Sequence, residues 1–124
     1  MKFKTITVTG KGRGKDLGFP TINMQVTPEM LLGVKEGIYA TRVYLENEQY
    51  HGALFYGPVP VFGETEKSLE VYLVDSGYIA VTAGQDIEFE LVKYIRPVQD
   101  FSSVELMQLQ MTKDVAEIQH IFEA

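Results

Sequence analysis

The residues with the clearest chemical capacity lie at positions 10–23, Gly10-Lys11-Gly12-Arg13-Gly14-Lys15-Asp16-Leu17-Gly18-Phe19-Pro20-Thr21-Ile22-Asn23. Glycines let a ligand approach the main chain closely, and successive exposed N–H groups form an anion-binding concavity. Arg13 and Lys15 add positive charge. Thr21 and Asn23, in a turn stiffened by Pro20, offer neutral oxygens. A polyphosphate with a hard cation suits that combination, since such cations prefer oxygen ligands and are often shared with substrate phosphates. The spacing excludes two common phosphate loops. No Gly-Lys-Ser/Thr closes it as in a Walker A loop, and no long helix signal follows as in a dinucleotide fingerprint.

Short strands must position this loop. Residues 4–9 alternate, with Ile6 and Val8 on one side and Thr5, Thr7 and Thr9 on the other. Residues 37–45 are rich in β-branched and aromatic side chains, and Glu46-Asn47-Glu48 predicts a turn into residues 50–56. Residues 69–74 set Leu69, Val71 and Leu73 against Glu70, Tyr72 and Val74; residues 86–95 set Ile87, Phe89 and Leu91 against Glu88 and Glu90. Period-2 runs broken by Gly, Pro and Asp predict an antiparallel sheet that closes or nearly closes. The period then changes. Ser102 with Glu105 forms a capping-box pattern, Phe101 with Leu106 has staple spacing, and Val104, Met107, Met111, Val115, Ile118 and Phe122 recur at helical steps. That predicts an amphipathic helix packed on the sheet. Nothing divides residues 1–124, which read as one domain.

Acidic residues outnumber basic ones by 17 to 11, a net charge of −6, which argues against general nucleic-acid binding. Lys2, Lys4, Lys11, Arg13 and Lys15 still form a local basic cluster suited to a small anion. The absence of cysteine excludes a disulfide framework and a thiolate metal site. No signal-peptide pattern opens the chain, and no segment has the length of a membrane span. A cytoplasmic, monomeric protein is expected. His51 and His120, far apart in sequence, are not expected to ligate metal.

The string GKGRGKDLGFPTIN closely resembles the signature of the riboflavin kinases (flavokinases). The resemblance continues in order through Glu36-Gly37-Ile38-Tyr39-Ala40, Leu69-Glu70-Val71-Tyr72-Leu73-Val74-Asp75, Ile95-Arg96-Pro97-Val98-Gln99-Asp100-Phe101-Ser102-Ser103 and Gln110 to Asp114. It implies a closed Greek-key antiparallel β-barrel with a carboxy-terminal helix. It also implies transfer of the γ-phosphoryl group of ATP to the 5′-hydroxyl of riboflavin, giving FMN. On that basis Gly10, Gly12, Arg13, Gly14, Lys15 and Thr21 would hold the nucleotide, with Leu73 and Asp75 also meeting it. Thr21 and Asn23 would hold Mg²⁺, Glu70 would be the catalytic base, and Arg96 and Phe101 would contact the flavin. Periodicity alone reads Glu70 as a solvent-facing carboxylate; its role comes from the resemblance.

The chain departs from the family pattern at three places. Gly57-Pro58-Val59-Pro60-Val61-Phe62 replaces a string with Arg-Pro-Thr character, Tyr72 stands in place of a His, and Thr82-Ala83-Gly84 replaces Leu-Tyr-Gly. These differences keep open a non-catalytic flavin or nucleotide sensor on the same barrel, and a kinase for another polyol-bearing substrate. These 124 residues do not themselves include the nucleotidyltransferase domain of many bacterial flavokinases, and a standalone kinase is expected. A protein without that domain would stop at FMN, and the opening Met favours a standalone enzyme.

Overall fold

A computed structural model describes residues 2–10, 18–27, 29–63, 66–76 and 79–123. Among them are six strands: β1 (Lys2–Val8), β2 (Ile22–Met24), β3 (Gly37–Leu45), β4 (Glu48–Gly57), β5 (Ser68–Leu73) and β6 (Asp86–Arg96). The helix α1 (Val104–Glu123) follows them. All strand pairs are antiparallel, and the sheet closes in the order β1-β2-β5-β4-β3-β6. Strands β3, β4 and β5 form a meander, and β6 returns beside β3, which is the Greek-key order. The tight β3–β4 connection uses Glu46 and Asn47 at φ 51° and 65°. Both central residues of a two-residue hairpin loop take positive φ when its twist matches the strands.

Period-2 alternation gives each strand an inner and an outer face. Inside the barrel, Phe3, Val43, Leu54, Leu69, Val71, Leu73 and Phe89 are buried together. A second apolar layer lies outside it, where Ile38, Ala40 and Val74 meet Ile118, with Phe55, Tyr72, Val115 and Phe122 packed around them. Helix α1 therefore covers part of the outer face with the stripe its spacing predicts.

Three local expectations are corrected. Thr21 and Asn23 do not sit in a simple turn, because Ile22–Met24 forms a strand between β1 and β5. In β1 the buried positions are Phe3 and Thr7, whereas Val8 is exposed. Thr7 can be buried because its hydroxyl donates to the Thr82 carbonyl at 2.6 Å and accepts from the Gln85 N–H at 3.0 Å. At α1, Ser103 rather than Ser102 caps the helix, its Oγ accepting from the Leu106 N–H at 3.2 Å. Leu106 is 47% exposed, so the staple with Phe101 does not form a buried contact.

Gly37 is demanded by both conformation and space. Its φ is 149°, and a Cβ there would lie 2.1 Å from the Arg96 carbonyl oxygen. Backbone cannot yield as a flexible side chain can. Gly37→Ala should destabilise the fold by about 2–4 kcal/mol, read as a fall in Tm of roughly 10 °C. An unchanged Tm would mean that the β3–β6 contact is looser than described.

Candidate functional site

Cross-strand pairs share a sheet face, and one row of pairs runs around the barrel. Val8 of β1 pairs with Asn23 of β2, and Asn23 pairs with Glu70 of β5. Glu70 pairs with Phe55 of β4, Phe55 with Ile38 of β3, and Ile38 with Arg96 of β6. All six side chains line one cavity of about 400 Å³ on the outer face. Three strand spacings separate Glu70 from Arg96, or roughly 14 Å along the sheet. The row thus has a polar end, an apolar middle and a charged far end.

Arg96 reaches this face after two register shifts in β6. Thr41 pairs with Leu91 but Ala40 with Lys93, leaving Val92 extra; Tyr39 pairs with Tyr94 but Ile38 with Arg96, leaving Ile95 extra. The first shift turns Tyr94 toward the barrel core, where the alternation of Ile87, Phe89 and Leu91 would have pointed it outward. The second shift returns Arg96 to the outer face.

At the polar end, the Thr21 hydroxyl donates to Glu70 Oε1 at 3.3 Å. Gly10 closes against Asn23: a Cβ on Gly10 would lie 1.9 Å from Asn23 Nδ2. The missing Cβ is what leaves room for the Asn23 amide. A hydroxyl, an amide and a carboxylate form a hard oxygen set. Among the described residues no group of three or more His, Cys, Asp or Glu could itself hold a metal. The oxygens of Thr21, Asn23 and Glu70 are of the kind that serve a small cation taking few protein ligands and completing its shell with phosphate and water.

At the far end, Arg96 and Asp114 form a buried pair. Arg96 Nε donates to both Asp114 oxygens at 3.0 Å, and Nη2 donates to Oδ2 at 2.7 Å. Gln110 Nε2 donates to Asp114 Oδ1 at 3.0 Å. The Arg96 guanidinium also lies 5.9 Å from the centre of the Phe101 ring. Met107, Met111 and Val115 of α1 complete the apolar wall. Near the mouth, Phe19 packs edge-on to Tyr72 with ring centres 5.3 Å apart. Lys67 sits 3.1 Å from Glu36. Hydrogen bonding to Glu36, then the neighbouring Tyr56, raises the Lys67 ammonium above the usual lysine value, so it stays charged.

The structure brings together Gly10, Thr21, Asn23, Glu70, Arg96 and Phe101 on one cavity. Gly12, Arg13, Gly14 and Lys15 lie outside the described residues. Leu73 points into the barrel at 2% exposure, and Asp75 pairs with His51 at 2.8 Å; neither lines the cavity. Lys2 and Lys4 both reach Glu88, at 3.6 and 3.9 Å, so neither joins the site. Sequence reasoning gave no role to Asp114, although the signal was there. It falls seven residues after Met107 and three after Met111, a charge inside an apolar helical stripe.

Comparison with known proteins gives this geometry its context. A family model for riboflavin kinase matches residues 1–122. The chain is 31% identical over 117 residues to the RNA-binding riboflavin kinase RibR of Bacillus subtilis (strain 168), covering 94% of this chain and 49% of that protein. It is 29% identical over 120 residues to the bifunctional riboflavin kinase/FMN adenylyltransferase of Listeria monocytogenes, covering 96% of this chain and 37% of the relative. It is 29% identical over 114 residues to human riboflavin kinase, covering 89% of this chain and 73% of that protein. The chain thus spans less than half the length of these two bacterial relatives. In fold it resembles a solved structure described as a macrolide-efflux protein from Streptococcus pneumoniae, with a TM-score of 0.78, 23% identity, and coverage of 95% of this chain and 38% of the other.

A closed six-stranded antiparallel barrel with one helix across its outer face defines the class of domain. The chain belongs to the riboflavin kinase (flavokinase) family. The relatives' names give a non-catalytic sensor no support. Among the described residues, no helix is long and apolar enough to cross a membrane.

Proposed function

We propose that this domain transfers the γ-phosphoryl group of ATP to the 5′-hydroxyl of riboflavin, giving FMN and ADP. The cross-strand row carries the reading: a carboxylate and two neutral oxygen donors lie at one end of an apolar slot, and an arginine lies at the other. A tricyclic ring with a polyol tail is comparable in length and polarity. Its ring suits Phe55, Ile38 and the α1 side chains, and its tail would lead the terminal alcohol toward Glu70.

Glu70 accepts the proton of that alcohol as the new P–O bond forms, because a primary alcohol is a weak nucleophile without a base. The hydrogen bond from Thr21 fixes the carboxylate's orientation. Thr21 and Asn23 are the residues that would hold Mg²⁺, with the nucleotide's phosphates on the side of Gly10. When bound, Mg²⁺ would offset negative charge on the transferring phosphoryl group.

Incubation with riboflavin, ATP and Mg²⁺, followed by chromatographic separation of flavins, tests the reading. FMN should accumulate with the protein and vanish when a chelator removes the divalent cation. No FMN with ATP or any other common nucleoside triphosphate would contradict it.

A further inference from the structure

Asp114 is the most deeply buried charged side chain on the cavity wall, at 5% side-chain exposure against 13% for Arg96. It engages Arg96 through Nε and Nη2, while Nη1 donates to the Pro97 carbonyl at 3.1 Å. All three guanidinium nitrogens are thus held by the chain itself. A planar cation gripped on two sides cannot rotate about its long stem. It is pre-oriented beside Phe101, and the entropy of fixing an arginine side chain is not charged to ligand binding. Gln110, one turn earlier on α1, fixes Asp114 in turn.

We propose that Asp114 is a positioning residue that sets the Arg96 guanidinium for flavin recognition, a role that rests on riboflavin occupying this cavity. A buried pair need not stabilise a fold, since well-packed apolar residues often serve as well. Asp114 and Arg96 also join α1 to β6 at the cavity wall, whereas Ile118, the fully buried α1 residue in the layer between helix and barrel, does not line the cavity. Asp114 and Ile118 thus make separable contributions, one at the cavity wall and one in the helix–barrel layer.

The test uses steady-state kinetics and riboflavin fluorescence titration on four proteins: wild type, Asp114→Asn, Gln110→Leu and Ile118→Val. Asn keeps the size of Asp but offers one acceptor oxygen where Arg96 presents two donors. Asp114→Asn should raise KM and Kd for riboflavin about tenfold, with KM for ATP within about twofold of wild type. Gln110→Leu, half-buried and off the cavity wall, carries little folding risk and should raise riboflavin KM about two- to threefold. Ile118→Val loosens the helix core and should lower Tm while leaving both KM values unchanged. If Asp114→Asn and Gln110→Leu keep wild-type riboflavin affinity, or if Ile118→Val weakens it as much as they do, positioning is overturned and Asp114 is merely structural. If wild type binds riboflavin but makes no FMN, the kinase reading fails, while the titration still decides the role of Asp114. Wild type that neither binds nor converts riboflavin would overturn both.

Discussion

Glu70→Gln should lower kcat for FMN formation roughly 100- to 10,000-fold, the range that removal of a positioned general base commands. Gln preserves the Oε1 acceptor that Thr21 reaches and nearly preserves volume, so the β2–β5 pairing should persist. It cannot take a proton. The loss should therefore fall on kcat, with KM for riboflavin changed less than about threefold and Tm close to wild type. Circular dichroism and a thermal melt alongside the kinetics check the fold. A variant retaining full turnover would remove Glu70 from the mechanism, and a variant that failed to fold would move it into the structural framework.

The second large effect is expected at Asn23, through Gly10. Asn23→Ala deletes an oxygen donor beside Glu70 and should cut turnover about 100-fold, as loss of a cation ligand or charge-stabilising group does. Gly10→Ala should act through the same side chain, because its new Cβ would occupy the place of the Asn23 amide. The amide is the end of a flexible side chain and can swing aside, so the fold survives while the donor is misplaced. Turnover should fall roughly 10- to 100-fold. The decisive comparison is the double variant. With Ala at position 23 the collision disappears, so Gly10→Ala should add almost nothing in that background. Additive losses would mean instead that Gly10 matters through its own main chain, as a direct contact with phosphate.

Much of the fold is legible in the sequence, for a simple reason. Long strands such as residues 37–45 and 86–95 carry enough period-2 alternation to declare themselves, and α1 carries five turns of apolar spacing. β2 does not: its three residues follow Pro20, make two pairs on either side, and offer too few positions to show a period. Thr7 misleads because its burial depends on partners at Thr82 and Gln85, more than seventy residues away.

The site divides along the same line. Alternation puts Glu70 opposite Leu69 and Val71, but it cannot say what that outer face meets. Only the closure of the barrel and the path of α1 turn an exposed face into a cavity wall. Alternation carried on from Ile87, Phe89 and Leu91 also puts Arg96 outside, but the two shifts at Val92 and Ile95, which turn Tyr94 inward beside it, are not announced by the local pattern. Asp114 could have been found, since a carboxylate within a helix's apolar stripe needs a buried partner. The residues linking chemistry to sequence most directly, Thr21, Asn23 and Glu70, were the easiest to name from the family resemblance. The cross-strand register that sets Asn23 beside Glu70, and the hydrogen bond that brings Thr21 to it, are not visible there.

The most direct test is a crystal structure with riboflavin, Mg²⁺ and a non-transferable ATP analogue. The terminal ribityl oxygen should lie within hydrogen-bonding reach of Glu70, roughly 2.6–3.2 Å, with the flavin ring lying over Phe55 and Ile38 toward Arg96. A flavin bound away from the outer face, or reversed so that its ring covers Asn23 and its tail points to Asp114, would contradict the account.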